Sequence, residues 1–303
     1  MPGDNKRSWR IVLPMLLVIT TITLWSVYWF IAIGVAEQTF AAERQRLAQQ
    51  GWTLGCTEES WAGYPFRFEY NCSSPVAKYA SRFEIRSGNL LAIALAYNPW
   101  QVAVLVDGPS KITGLTPEPI DADHQRGLLV VTLGDKSTMN VSADLPTLTL
   151  RELLSVESVR IDTRPADNGR IEFAASMKKF DYHPDSRSSL PIDEGMTRGF
   201  LTPERKALID NIEISQSKIR LWGHGKFTLD DARRPAGRLS TETNDLNGLL
   251  ALLDPHIDLT EEQKSGLRTI LGLLGNEAKA DIIAKDGSLF VGPFRAADLR
   301  PLF

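Results

Sequence analysis

The chain of 303 residues has little with which to do chemistry: two cysteines and four histidines in all. A structural zinc site takes four ligands. Cys56 and Cys72 supply two, with no histidine near them in sequence. His124, His183, His224 and His256 are scattered through the chain. There is no His-Glu-x-x-His, Gly-x-Ser-x-Gly or Cys-x-x-Cys, so the local signatures of zinc peptidases, serine hydrolases and dithiol redox proteins are missing. Gly223-His-Gly-Lys-Phe-Thr228 approaches a phosphate loop and fails it. Arg220 stands where the first glycine belongs, and Phe227 stands where a hydroxyl should hold the metal. Asp121/Asp123 and Asp230/Asp231 read as turn acids, because calcium loops need more oxygen ligands at set spacing. A basic excess is also lacking, with 34 Lys and Arg against 37 Asp and Glu, so nucleic acid is not an expected partner. These absences point to a non-catalytic chain with no cofactor and no metal.

The longest absence is of charge. From Ile11 to Ala36 there are 26 positions without a charged residue, rich in Ile, Leu, Val, Phe and Trp. A helix rises about 1.5 Å per residue, so roughly 20 such residues cross a hydrocarbon core of about 30 Å. Lys6, Arg7 and Arg10 precede the run. The positive-inside rule therefore puts residues 1–10 in the cytoplasm and the body of the chain beyond an inner membrane, in the periplasm. Trp9 suits one interface, and Trp25, Tyr28, Trp29 and Phe30 suit the other. Pro14 is expected in the first helical turn, where it costs no hydrogen bond. A cleaved signal peptide ending at Gly34-Val35-Ala36 is the rival, but its apolar region would be about 7–15 residues, shorter than this one. The reading is a retained single-pass anchor at 11–36, followed by a helical stalk over 37–50 that ends at Gly51.

In an oxidising compartment Cys56 and Cys72 can form a disulfide. Trp52–Thr57 and Phe66–Cys72 read as strands around a turn at Gly63-Tyr64-Pro65, with positions 56 and 72 equidistant from 64. A bond closing a loop of about 15 residues is worth about 3 kcal/mol. Two buried free thiols are the alternative.

The remainder, 51–303, has 43% hydrophobic residues in the whole-chain composition, ample for a core. Period-two runs recur, as in Phe83 and Ile85, in Ile171, Phe173, Ala175 and Met177, and in Gly225, Phe227 and Leu229. Leu90–Tyr97 and Gln101–Val106 are continuous apolar strands on either side of Asn98-Pro99-Trp100. Thr113–Arg126 and the polar stretch 183–197 read as loops, and the best subdomain boundary falls near 183–200. Thr202 to Asp210 reads as a short helix capped by Thr202. Ile212/Ile214 and Ile219/Leu221 are out of phase, which predicts a bulge near Ser215–Ser217. Asp245–Leu253 is an apolar helix. A capping box at Thr260-Glu-Glu-Gln263 starts another that runs to Leu274, with Leu267 and Leu271 on its apolar face. Asp286-Gly287 joins a closing hairpin. The fold class is α+β, mainly antiparallel β. Curved sheet or sheets are covered by one or two helices and preceded by the transmembrane helix and its stalk.

Three features together resemble a known group: an N-terminal anchor with a helical stalk, Trp61-x-Gly63-Tyr-Pro-Phe-Arg-Phe68 on an early hairpin, and the closing Asp286-Gly-Ser-Leu-Phe-Val-Gly-Pro293. They are similar to the uncharacterised bacterial family catalogued as domain of unknown function 2125. The resemblance implies a periplasmic domain anchored in the inner membrane and carries over no functional residues. Lys218–Ser240, with its Arg234-Pro-Ala-Gly237 turn, also resembles repeats of AsmA-like envelope proteins, whose β-rich grooves are associated with lipid traffic. Two readings follow. In one, an apolar groove holds a lipid or another hydrophobic ligand, with Trp61, Phe66, Phe68, Leu95, Val104, Leu267 and Leu271 as its lining. The same aromatics would otherwise be turn-flanking core residues. In the other, the chain is a structural scaffold for an envelope protein complex.

Overall fold

The computed structural model describes residues 5–80, 82–114, 118–134, 139–151, 153–185, 188–204, 206–253, 278–291 and 294–299. The chain divides into two units, the first formed by Met1–Val106 with Lys111–Pro119 and the second by Asp107–Ser110 with Ile120–Phe303.

The first unit begins with α1 (Asn5–Gln49), which carries the apolar run and the stalk as one unbroken helix. Gly51, at φ +91°, adopts the left-handed conformation that ends it. Pro14 is inside α1 and not in its first turn. Its missing N–H therefore removes a backbone bond that the sequence reading did not count. Strands β1 (Trp52–Gly55), β2 (Glu58–Ala62), β3 (Arg67–Ser73), β4 (Val76–Tyr79), β5 (Phe83–Arg86), β6 (Asn89–Leu95), β7 (Asn98–Val106) and β8 (Ser110–Thr113) follow. They pair antiparallel in two series, β2–β3–β6–β7 and β1–β4–β5–β8. The turn between β6 and β7 falls at Ala96-Tyr97 and not at Asn98-Pro99-Trp100, because Asn98 already pairs with Leu95.

The disulfide Cys56–Cys72 is formed, with Cα atoms 5.4 Å apart, but the strands around it differ from expectation. Trp52–Gly55 pairs with β4, and the partner of β3 is β2. Cys72 lies opposite Glu59 in the ladder, and Cys56 reaches it from the connection before β2. The symmetric count about residue 64 missed this because the β2–β3 turn is centred further along, on Tyr64-Pro65-Phe66.

The second unit is a meander. Its strands are β9 (Ile120–His124), β10 (Gly127–Leu133), β11 (Met139–Leu150), β12 (Leu154–Pro165), β13 (Ile171–Asp185), β14 (Ser188–Leu201), β15 (Ala207–Gln216), β16 (Ile219–Leu229), β17 (Pro235–Thr243), β18 (Ala278–Lys285), β19 (Ser288–Val291) and β20 (Phe294–Asp298). From β10 to β20 each strand pairs antiparallel with the next, and β9 lies beside the far part of β11. Helix α2 (Leu246–Leu253) follows β17. The Asp245 carboxylate accepts the Gly248 N–H at 2.9 Å and caps it.

Several local readings give way here. The stretch 183–197, expected as loop, is largely the β13–β14 hairpin, where Leu190, Pro191 and Ile192 lie opposite Tyr182, Asp181 and Phe180. Residues 202–210 hold a turn and the start of β15, not a helix. The Thr202 hydroxyl does accept the Lys206 N–H, at 3.3 Å, but it closes a strand turn. Ile212/Ile214 and Ile219/Leu221 are out of phase because a hairpin turn separates them, with Ser217 at φ +55°. The ladder irregularity lies earlier, between Ile209 and Ile212. The Asp286-Gly287 turn is as expected, both residues at positive φ. The expected helix 260–274, with Leu267 and Leu271, lies outside the described residues.

Candidate functional site

Two surfaces stand out, one in each unit. In the first, α1 is built into the core. Alternate residues of β3, Phe68, Tyr70 and Cys72, are buried, as the two-residue period of a strand requires. Trp29 is 5% exposed and packs with Phe68 and Ala96, while Trp25, Ala32 and Ile33 close around them. Further along α1, Phe40 meets Trp61 and Tyr70 at ring-centroid distances of 6.1 and 4.8 Å. Arg44 pairs with Glu59 at 2.7 Å and donates to the Leu54 carbonyl at 2.9 Å. Burial, then the nearby Glu59 carboxylate, push the Tyr70 phenol up to about 12. Its hydroxyl lies 3.3 Å from Cys56 Sγ.

The middle of α1 also donates to the turns of this unit. Trp25 Nε1 donates to the Pro65 carbonyl at 2.8 Å, Trp29 Nε1 to that of Arg67 at 3.0 Å, and the Tyr28 hydroxyl to that of Ala96 at 2.9 Å. The Ser26 and Tyr64 hydroxyls are 2.8 Å apart. Of the expected groove residues, Phe68 is core, Trp61 is half-buried against Phe40, and Val104 is half-buried opposite Ala92. Phe66 and Leu95 are exposed at the turns. The ladder puts Trp61, Phe68 and Val104 on one face of β2–β3–β6–β7, through Tyr70 and Ala92, while Phe66 and Leu95 sit at its turns.

In the second unit the ladder sorts residues by face, because directly opposed residues of an antiparallel pair point the same way. Val159, Ile161 and Thr163 of β12 lie between Leu145, Ala143 and Val141 of β11 and Met177, Ala175 and Phe173 of β13. The same face continues through Gly195, Thr197 and Gly199 of β14, Ile209, Ile212 and Ile214 of β15, and Leu221, Gly223, Gly225 and Phe227 of β16. Leu239 and Thr241 of β17 and Ile282 and Ala280 of β18 carry it on. These rows hold no charged residue, and the face ends at the next row, where Glu157 and Lys179 pair at 2.7 Å. The opposite face carries the ion pairs Arg160–Asp162 at 3.0 Å, Arg164–Glu172 at 3.4 Å and Lys178–Glu194 at 3.7 Å. Toward β17 and β18 the apolar face is buried at Leu239, Thr241, Thr243 and Ala284. Toward β12 and β13 it is open, with Ile161 44% and Ile171 43% exposed.

Alternation is legible strand by strand in the sequence, but its phase from β10 to β18 is not, since phase between strands depends on turn lengths and on the offset at Ile209/Ile212.

Among the described residues, no group of three or more His, Cys, Asp or Glu is placed to hold a metal ion. Ser110 Oγ lies 2.8 Å from His124 Nε2, and His124 Nδ1 lies 2.7 Å from the Gln125 carbonyl oxygen. The Asp107–Arg126 pair at 2.6 Å and the close approach of Gly108 to the His124 carbonyl fasten residues 107–110 along β9.

The family model described as an uncharacterized protein conserved in bacteria (DUF2125) matches residues 29–300. No curated protein and no solved structure matches the chain. The likeness to AsmA-like envelope proteins finds no support in these comparisons.

Proposed function

This chain belongs to the DUF2125 family, and we propose that it is a non-catalytic, single-pass membrane protein that holds lipid acyl chains on the apolar face of its second unit. In this reading α1 spans the inner membrane over residues 11–36, Lys6, Arg7 and Arg10 stay in the cytoplasm, and the strands work on the periplasmic side. The observation that carries the lipid assignment is the uncharged face running in register from β10 to β18, open around Ile161 and Ile171. Contiguous exposed apolar surface of this kind marks an interaction site. An acyl chain has no polar group to satisfy and suits a face of Val, Ile, Ala, Gly and Phe. The helix supplies the second support, because it would tether the chain to a bilayer from which lipid can be taken.

The test places a photoreactive phenylalanine at Ile161 or Ile171, with Arg160 and Glu172 as opposite-face controls, in the full chain in its native membrane. After illumination, intact-mass analysis should find phospholipid adducts at 161 and 171 and none at 160 or 172. Equal labelling on both faces, or no lipid adduct, would reject the reading. A protein adduct at 161 would favour a scaffold in an envelope complex.

A further inference from the structure

Among the strands of the first unit, exposed aromatic side chains gather at and beside the turns that α1 grips. Phe66 is 66% exposed, Tyr97 is 70% exposed, and Tyr64, Leu95 and Trp100 are exposed beside them. Residues 60–66 and 87–106 contain no charged side chain. The helix positions that hold these turns, Trp25, Ser26, Tyr28 and Trp29, belong to the uncharged run itself. Starting at Ile11, about 20 residues of helix cross the hydrocarbon and reach Phe30. The Tyr64-Pro65 contact at Trp25 and Ser26 therefore falls about 6–8 Å short of the far edge, inside the lipid. Phe30, Ile31 and Val35 of α1 remain exposed and apolar, with Phe30 stacked on Tyr64 at a centroid distance of 5.8 Å.

From this we infer that the two turns, Tyr64–Phe66 and Leu95–Tyr97, are inserted into the bilayer leaflet beside α1, so that the first unit sits partly in the membrane and not on a stalk above it. The inference rests on the reading of α1 as a membrane-spanning helix. The hydrogen bonds support it independently of depth. In water the Pro65, Arg67 and Ala96 carbonyls would need no dedicated donors. In hydrocarbon each unsatisfied carbonyl costs several kcal/mol. Here each receives an indole or phenol donor from α1, and Ser26 and Tyr64 satisfy one another. Gly63 accepts the Arg67 N–H at 3.0 Å, the Phe66 carbonyl accepts the Ala96 N–H at 2.9 Å, and Pro65 has no N–H to satisfy. Tyr and Trp side chains favour the headgroup boundary, where an apolar body and a polar tip are both accommodated. The ligand is the bilayer itself, at the depth interfacial segments occupy, about 5–10 Å.

The test uses the full chain in vesicles of phosphatidylethanolamine and phosphatidylglycerol. The variants Phe66→Cys, Tyr97→Cys, Glu58→Cys and Ile19→Cys are each labelled with an environment-sensitive maleimide dye, leaving the Cys56–Cys72 disulfide intact. Quenching by lipids carrying a shallow or a deep spin label, and by aqueous iodide, then reports depth. Labels at 66 and 97 should be quenched several-fold more by the shallow spin label than the label at 58, and should be protected from iodide. If 19 is quenched by the deep label while 66 and 97 behave like 58, insertion of the turns is wrong and the anchor stands. If 19 is also open to iodide, both the anchor and this inference fail. Labels at 66 and 97 shielded from iodide and from both spin labels would mean that protein covers the turns, and would overturn the inference as well.

Discussion

Trp29 is stacked on Phe68, with ring centroids 5.8 Å apart and planes 29° apart. One ring belongs to the uncharged helix and the other to the first long strand of the body, so the segment that looks like a removable leader is part of the core. Cutting after Ala36 would take away a side chain that is only 5% exposed. Trp29→Ala should destabilise the first unit by about 3–5 kcal/mol, the usual cost of deleting a buried aromatic. A cycle with Phe68→Ala should show coupling of about 1 kcal/mol from the ring pair. Intact-mass measurement of the membrane-fraction protein should find Trp29 retained. A dominant species starting near Glu37 would refute this.

Tyr70 ties stability to alkaline pH. Its hydroxyl is held neutral by burial first and by Glu59 second, with a folded value of about 12 against the ordinary 10. A value raised on folding contributes stability that is complete below about pH 10 and is lost as pH rises toward 12. Denaturant unfolding should therefore show a loss on the order of 2 kcal/mol across that window. Tyr70→Phe should flatten the profile there. An unchanged slope would show that Tyr70 is not the source.

The disulfide closes a short loop from Cys56, in the connection just before β2, to Cys72 in β3, beside the Thr57 N–H bond to the Ser73 carbonyl at 2.9 Å. Replacing both cysteines by alanine should lower stability by about 3 kcal/mol for a loop of about 15 residues. The loss should appear in unfolding midpoints of the variant and, equally, of the parent chain under reductant. A much smaller effect would mean that the β2–β3 ladder and the α1 contacts already fix the loop.

The helix, the disulfide partners, the closing hairpin and α2 were legible in the sequence, each for a local reason: charge absence, cysteine count, Asp-Gly chemistry and a short apolar run. The β13–β14 hairpin was not, because Pro184, Pro191 and the surrounding polar residues look like loop signals. The polar residues are tolerated in long strands with one solvated face, and the prolines fall toward the hairpin end, where the ladder shifts between Tyr182 and Asp185. The helix expected at 202–210 failed for a related reason. A Thr-Pro start is also good turn chemistry, and Leu208 and Ile209 continue the strand register of β15. The role of Trp25, Tyr28 and Trp29 was half legible. Their aromatic-belt position could be read from the segment, whereas their bonds to Pro65, Ala96 and Arg67 lie 38 to 68 residues away in sequence.

Glycines on the apolar face let strands approach where no side chain fits. A Cβ on Gly199 would sit 1.9 Å from the Leu208 carbonyl oxygen, and one on Gly225 2.2 Å from that of Arg238. Neither obstacle is a flexible side chain, so the strands would have to separate. Gly199→Ala should cost several times more than Gly55→Ala, where a Cβ meets nothing within 4 Å. We expect upward of about 2 kcal/mol against about 0.5, read from unfolding midpoints. Similar costs at both positions would show that β14 and β15 can relax apart.

The two faces of the second unit should separate stability from lipid retention. Ile161 lies opposite Ala143 and Ala175 and is 44% exposed, so its side chain contributes little to packing. Ile161→Asp should cost only about 1 kcal/mol. It places a charge where every in-register neighbour is apolar, and an acyl chain lying across that face would then have to desolvate a carboxylate, which costs several kcal/mol per ion. Arg160→Gln, one residue away on the charged face, breaks the contact with Asp162. An exposed pair of that kind is worth about 0–1 kcal/mol. The two variants should thus be comparably folded, yet mass spectrometry of the purified full chain should find bound phospholipid depleted in Ile161→Asp and unchanged in Arg160→Gln. Equal lipid content in both would separate the apolar face from any role in lipid retention, whatever lies at the membrane.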